Sequence, residues 1–130
     1  MSNNLPQFTD QELERRLPVW EAMSELFRDT ELDEHDHQMI ASALSASGYT
    51  TDELDTIMRE EVAPAFHNNL LGIGEWKGWS RDAVRDIVLA KLAQRSWYEQ
   101  IPFIRHQIRN VSMAMVQDTW STVRTMLHAR

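Results

Sequence analysis

The sequence predicts an all-α single domain, a bundle of five or six helices with a long C-terminal helix. Three observations carry that prediction. Apolar residues recur at three- and four-residue spacings in several separate stretches, no stretch alternates with period two, and capping residues and prolines mark the ends of those stretches. The chain has 130 residues, one ordinary domain that can bury about two-thirds of its unfolded surface. An apolar share of 42% against 25% charge is the composition of a globular chain. The absence of cysteine excludes a disulfide scaffold, a thiolate zinc site and a cysteine nucleophile.

Each element has a local reason. Residues 1–8 are expected to form a flexible N-terminal tail. Thr9 and Glu12 have capping-box spacing and open a short helix over residues 10–17. Pro18 disfavours helical geometry at Leu17 and suits the first turn of a new helix, which carries Val19, Ala22, Met23, Leu26 and Phe27 and stops near Asp29. A third helix spans residues 33–47, with Met39, Ile40, Ala43 and Leu44 facing inward and Gly48 in the left-handed C-terminal position. Thr50 and Glu53 repeat the capping box ahead of Leu54, Ile57, Met58 and Val62, and Pro64 ends or bends that helix.

A break over residues 67–80 holds three of the four glycines. Ser80 then caps a helix with Ala83, Val84, Ile87, Val88 and Leu92 on one side. The last helix, over residues 102–128, has two apolar stripes. One is Ile104, Ile108, Val111 and Met115; the other is Met113, Val116, Trp120, Val123 and Leu127. Apolar residues on two sides mark a helix packed from both.

Charge is distributed unevenly. Residues 1–65 hold four arginines against 15 carboxylates, a net of −11, whereas residues 66–130 carry a net of +4. Asp29, Glu31, Asp33, Glu34 and Asp36 crowd into the segment between two helices, and Asp52, Glu53 and Asp55 open the next. Acids at helix N-termini gain from the macrodipole, and the basic half could pack on the acidic half. The same residues could instead form a surface that captures a basic partner and speeds its encounter. Both readings are compatible with the sequence.

Candidate chemistry is sparse. Asp29 to Asp33 imitates the start of an EF-hand loop, but its sixth and twelfth positions would be Glu34 and Ile40, not glycine and glutamate. His35 and His37 point about 200° apart on a helix, so they cannot share one metal ion. The run Gly72-Ile73-Gly74-Glu75-Trp76-Lys77-Gly78 has the wrong spacing for a dinucleotide fingerprint and no strand before it. Trp76 and Trp79 around Lys77 read as a tight turn in the core, with ring stacking as the alternative. Arg81, Arg85, Lys91, Arg95, Arg105 and Arg109 could touch phosphate, but a chain of net charge −7 is a poor nucleic-acid binder. Glu60 and Glu61 diverge by about 100° on a helix and cannot act on one bond. No cofactor, metal or catalytic residue is assigned. No apolar run reaches the roughly 18 residues of a membrane span, and a cytoplasmic location is expected.

The run Val19-Trp20-Glu21-Ala22-Met23-Ser24-Glu25-Leu26-Phe27-Arg28-Asp29-Thr30-Glu31-Leu32 resembles a family of small bacterial proteins of unknown function. So do Glu60-Glu61-Val62-Ala63-Pro64 and the stretch from Asn69-Leu70-Leu71 to Gly74-Glu75-Trp76. The likeness covers residues 13 to 95. It implies a bacterial source and brings neither catalytic residues nor a cofactor.

The functional expectation is therefore a protein-binding module, an immunity protein or inhibitor whose acidic face neutralises a basic toxin domain. Asp29, Glu31, Asp33, Glu34, Asp36, Asp52, Glu53 and Asp55 are its expected contacts. Two other classes remain: a helical subunit that self-associates through its last helix, and a ligand-binding domain or enzyme using the Trp76–Trp79 loop.

Overall fold

The computed structural model describes residues 8–27, 32–70, 80–98, 107, 110–114 and 116–128, with the side chains of 67–70 and 94–98 set aside. Among the described residues the chain is helical and contains no strand. Six α-helices have defined bounds among the described residues: α1 (Asp10–Ser24), α2 (Glu34–Ala46), α3 (Thr51–Ile57), α4 (Ala63–Leu70), α5 (Arg81–Tyr98) and α6 (Gln117–His128). No described helix is long and apolar enough to cross a membrane.

The caps fall where local chemistry asks for them. Thr9 and Glu12 exchange both bonds of a capping box at α1, as Thr50 and Glu53 do at α3. Asp33 and Asp36 close the same reciprocal pair at α2 with two carboxylates. Ser80 Oγ accepts from the N–H of Ala83, and its carbonyl takes the first bond of α5 from Val84. Gly48, at φ 80°, occupies the left-handed position after α2. A Cβ there would be strained in that conformation and would lie 3.4 Å from Arg15 Nη2.

Pro18 was expected to separate two helices and Pro64 to end or bend one, and the helical path continues through both. Pro18 lies inside α1, which runs unbroken where two helices were expected. The carbonyl it deprives of a donor belongs to Glu14, on the exposed face. After α1 the chain tightens into a 3₁₀ turn over Glu25–Phe27. Pro64 does not end the helix around it, and a local distortion of the helix precedes it. The segment Met58–Val62 widens into a π turn, in which the N–H of Ala63 reaches back to Met58 O, and α4 continues to Leu70, into the break expected over residues 67–80. A wider turn accommodates the missing proline N–H without interrupting the helical path.

The C-terminal region also differs from expectation. Residues 110–114 are helical, Val116 sits in a turn, and α6 begins at Gln117. The Val116 N–H bonds to Met113 O, while the Trp120 N–H bonds to Val116 O. A turn at Val116 thus stands within the span 102–128 where one helix was expected. Of its two stripes, Met113, Val116, Trp120 and Val123 are buried. Val111 is 47% exposed, and Ile104, Ile108 and Met115 lie outside the described residues.

A single apolar core joins these elements. α1 packs on α2 and α5, α2 packs on α6, and the π turn and α4 pack against α5. Trp20, Phe27, Met23, Leu44, Met58 and Trp120 are fully buried within it. Phe27 meets Phe66 at 6.2 Å, and Phe8, expected in the tail, packs edge-on against Trp20 at 5.6 Å. Burial on this scale contributes roughly 25 cal/mol per Å² of apolar surface, which is the main stabilising force.

Candidate functional site: an acid-rimmed groove between α1 and α2

α1 is two-faced. One side carries Arg16 and Trp20 into a polar junction with the π turn. Glu61, buried to 8% exposure, accepts from Arg16 Nε at 3.0 Å, from Arg16 Nη2 at 2.6 Å and from Trp20 Nε1 at 2.8 Å. Arg16 Nη1 donates to Tyr49 Oη at 3.1 Å, and the Arg15 guanidinium stacks 3.9 Å from the Tyr49 ring centre. Burial alone would depress the Arg16 pKa, but its bonds to Glu61 and Tyr49 outweigh burial and hold it above the ordinary value. This junction ties α1 to the α2–α3 connection and to the π turn. It leaves no open carboxylate, so it reads as architecture.

The opposite side of α1 borders an open groove of about 440 Å³, shared with α2 and reaching the start of α5. Pro18 and Ala22 from α1, with Ile40 and Ala43 from α2, form an apolar floor. Leu32 and Met39 extend it. Met39 was expected to face inward and is instead 61% exposed. The cause is geometric: α2 buries only the narrow stripe of Ile40, Ala41 and Leu44, and Met39 stands one position outside it. Glu21, Glu25 and Asp36 rim the groove, joined by His35 and Arg81. Three carboxylates against one guanidinium make the rim acidic.

The eight expected contacts divide into groups. Asp36 lines the groove. Asp33 and Glu34 stand beside it at the α2 N-terminus, both exposed. Backbone hydrogen bonds from Asp36 at the cap hold the Asp33 carboxyl below its ordinary pKa. Glu53 is held low in the same way by the backbone of its partner Thr50, and Asp52 is exposed in the same first turn.

Asp55 faces α6, where Trp120 Nε1 donates to its Oδ1 at 2.8 Å and Arg124 Nη1 at 3.1 Å, with Arg59 at 3.4 Å from Oδ2. Burial would raise its pKa, but these donors override burial and lower it. Asp55 is a strut between α3 and α6, outside the groove. Asp29 and Glu31 lie outside the described residues, as does the Gly72–Gly78 run with Trp76, Lys77 and Trp79.

Other candidates find ordinary places. Arg81 pairs with Glu21, and Arg85 pairs with Asp82 and Asp86. Arg105 and Arg109 lie outside the described residues. Among the described residues no three His, Asp or Glu side chains converge on a metal-sized space. Sequence reading missed Glu21, Glu25 and Arg81 as groove residues and Glu61 as a junction. The one available signal for the groove was the i, i+3, i+4, i+7 set Pro18, Glu21, Ala22, Glu25, which is half polar and so was not read as a face.

No curated protein and no solved structure matches the chain. Over residues 14–126 it matches the family described as a domain of unknown function, DUF7079, and to that family the chain belongs.

Proposed function

We propose that the protein is a non-catalytic binding module whose α1–α2 groove receives a basic, amphipathic helical segment of a partner protein. The observation that supports this reading is the pairing of an apolar floor, including the exposed Met39, with a rim of Glu21, Glu25 and Asp36. From His35 to Ala43 the α2 wall is about 12 Å long, two helical turns. That length suits two or three apolar anchors at helical spacing, with flanking cations meeting the rim. Asp33 and Glu34 would extend the acidic field and raise the encounter rate. An inhibitor or immunity protein acting on a basic toxin domain is one biological form of this module, and it accounts for an acidic surface without catalytic groups.

The test uses an 18-residue amphipathic peptide of leucine and lysine, dye-labelled and titrated with the protein. Saturable binding that weakens with added salt is expected. Met39→Lys places a cation on the floor at an exposed position, and it should weaken binding about tenfold or more while leaving the fold intact. Absence of wild-type binding, or unchanged binding by M39K, would contradict the proposal.

A further inference from the structure

Resting on that reading of the groove, we propose that Arg81 is a built-in competitor that occupies the place of the partner's cation on Glu21. Arg81 is the first residue of α5. A cation there opposes the helix macrodipole, whose positive end lies at the N-terminus, so the helix itself gains nothing from it. What holds the side chain is Glu21 on α1, 60 residues away in sequence, and both members line the groove.

The pairing has the form of an exchangeable contact. Arg81 Nε and Nη2, at 3.2 and 2.9 Å, both bond to Oε1 of Glu21. Among the described residues Oε2 takes no hydrogen bond. The two side chains are 52% and 38% exposed, so water reaches them and their attraction is screened. By contrast Arg16 engages both oxygens of Glu61, with the side chains 19% and 10% exposed. An incoming lysine or arginine thus finds at Glu21 a carboxylate already selected for a cation and held only loosely. The resident arginine excludes weak cations and yields to a partner whose apolar anchors also fill the floor, which makes Arg81 a specificity-determining residue.

The experiment is a double-mutant cycle with the same leucine–lysine peptide. Arg81→Gln should tighten binding roughly twofold to fivefold, the range set by an exposed ion pair. In a Glu21→Gln background the same change should give no gain, because the contested carboxylate is gone. If Arg81 acted only by distant repulsion, the gain would persist in that background. A persistent gain, or no gain in either background, overturns the competitor role while leaving the groove intact. Loss of wild-type binding would instead overturn the groove reading itself. Circular dichroism of each variant confirms that all four proteins retain their helices.

Discussion

The two faces of α1 each present an arginine–glutamate pair, and the pairs have opposite consequences. At the junction, Arg16 and Glu61 are enclosed, forked on both carboxylate oxygens and joined by Trp20 and Tyr49. On the groove side, Arg81 and Glu21 share one oxygen in the open. Burial decides the difference. A desolvated charge cannot be left without its partner, so the enclosed pair fixes how α1 meets the π turn. A hydrated pair contributes little stability, so the same chemistry remains available for exchange. One helix thereby holds the fold with one face and offers a surface with the other.

The sharpest way to break this comparison is Glu61→Ala. It leaves a half-buried guanidinium with Tyr49 alone and strands a buried indole N–H, and should destabilise the protein by about 2–4 kcal/mol in urea unfolding. A loss below about 1 kcal/mol would put the junction on a par with the groove pair. Trp120→Phe removes the bond to Asp55 and, with its smaller ring, leaves a cavity at a fully buried position, with an expected loss of about 2–4 kcal/mol. Thr50→Ala removes one capping partner and should lower stability by about 1 kcal/mol.

Asp55 adds a pH test. Its folded pKa lies below the ordinary 3.8, so its contribution is complete above that value and is lost as pH falls through the folded pKa. Wild type and Asp55→Asn should therefore converge in stability as pH drops below about 4, and a constant gap would contradict the assignment. The smallest stability effect belongs to Glu21→Gln, within about 0.5 kcal/mol, although peptide binding should fall.

What was legible in the sequence follows the range of the interactions. The boxes Thr9–Glu12 and Thr50–Glu53, the Ser80 cap and the left-handed Gly48 are decided within four residues, and all appear as read. Pro18 does not divide its helix, and of the two outcomes open at Pro64 the helix does not end there, because local rules state the lost hydrogen bond but not how the chain absorbs it. Here the freed carbonyl belongs to the exposed residue Glu14, and a π turn lies before Ala63. Met39 and Val111 were placed inside because periodicity gives the direction of an apolar stripe, not the width its neighbours cover. Glu61 was beyond reach for another reason: its partners lie 41 and 45 residues away, and nothing local distinguishes it from Glu60. The acidic cluster was visible as composition, but its division into caps, the Asp55 strut and the groove rim required the packing of α1, α2 and α6.

The most direct test of a helix with one committed and one available face is an NMR titration of the isotope-labelled protein, read at methyl and N–H signals, with the leucine–lysine peptide. The account predicts shifts at Ala22, Leu32, Met39, Ile40 and Ala43, with the Trp20 indole N–H at the Glu61 junction unmoved. Shifts centred on Trp20 and Tyr49 with a silent Met39 would contradict it.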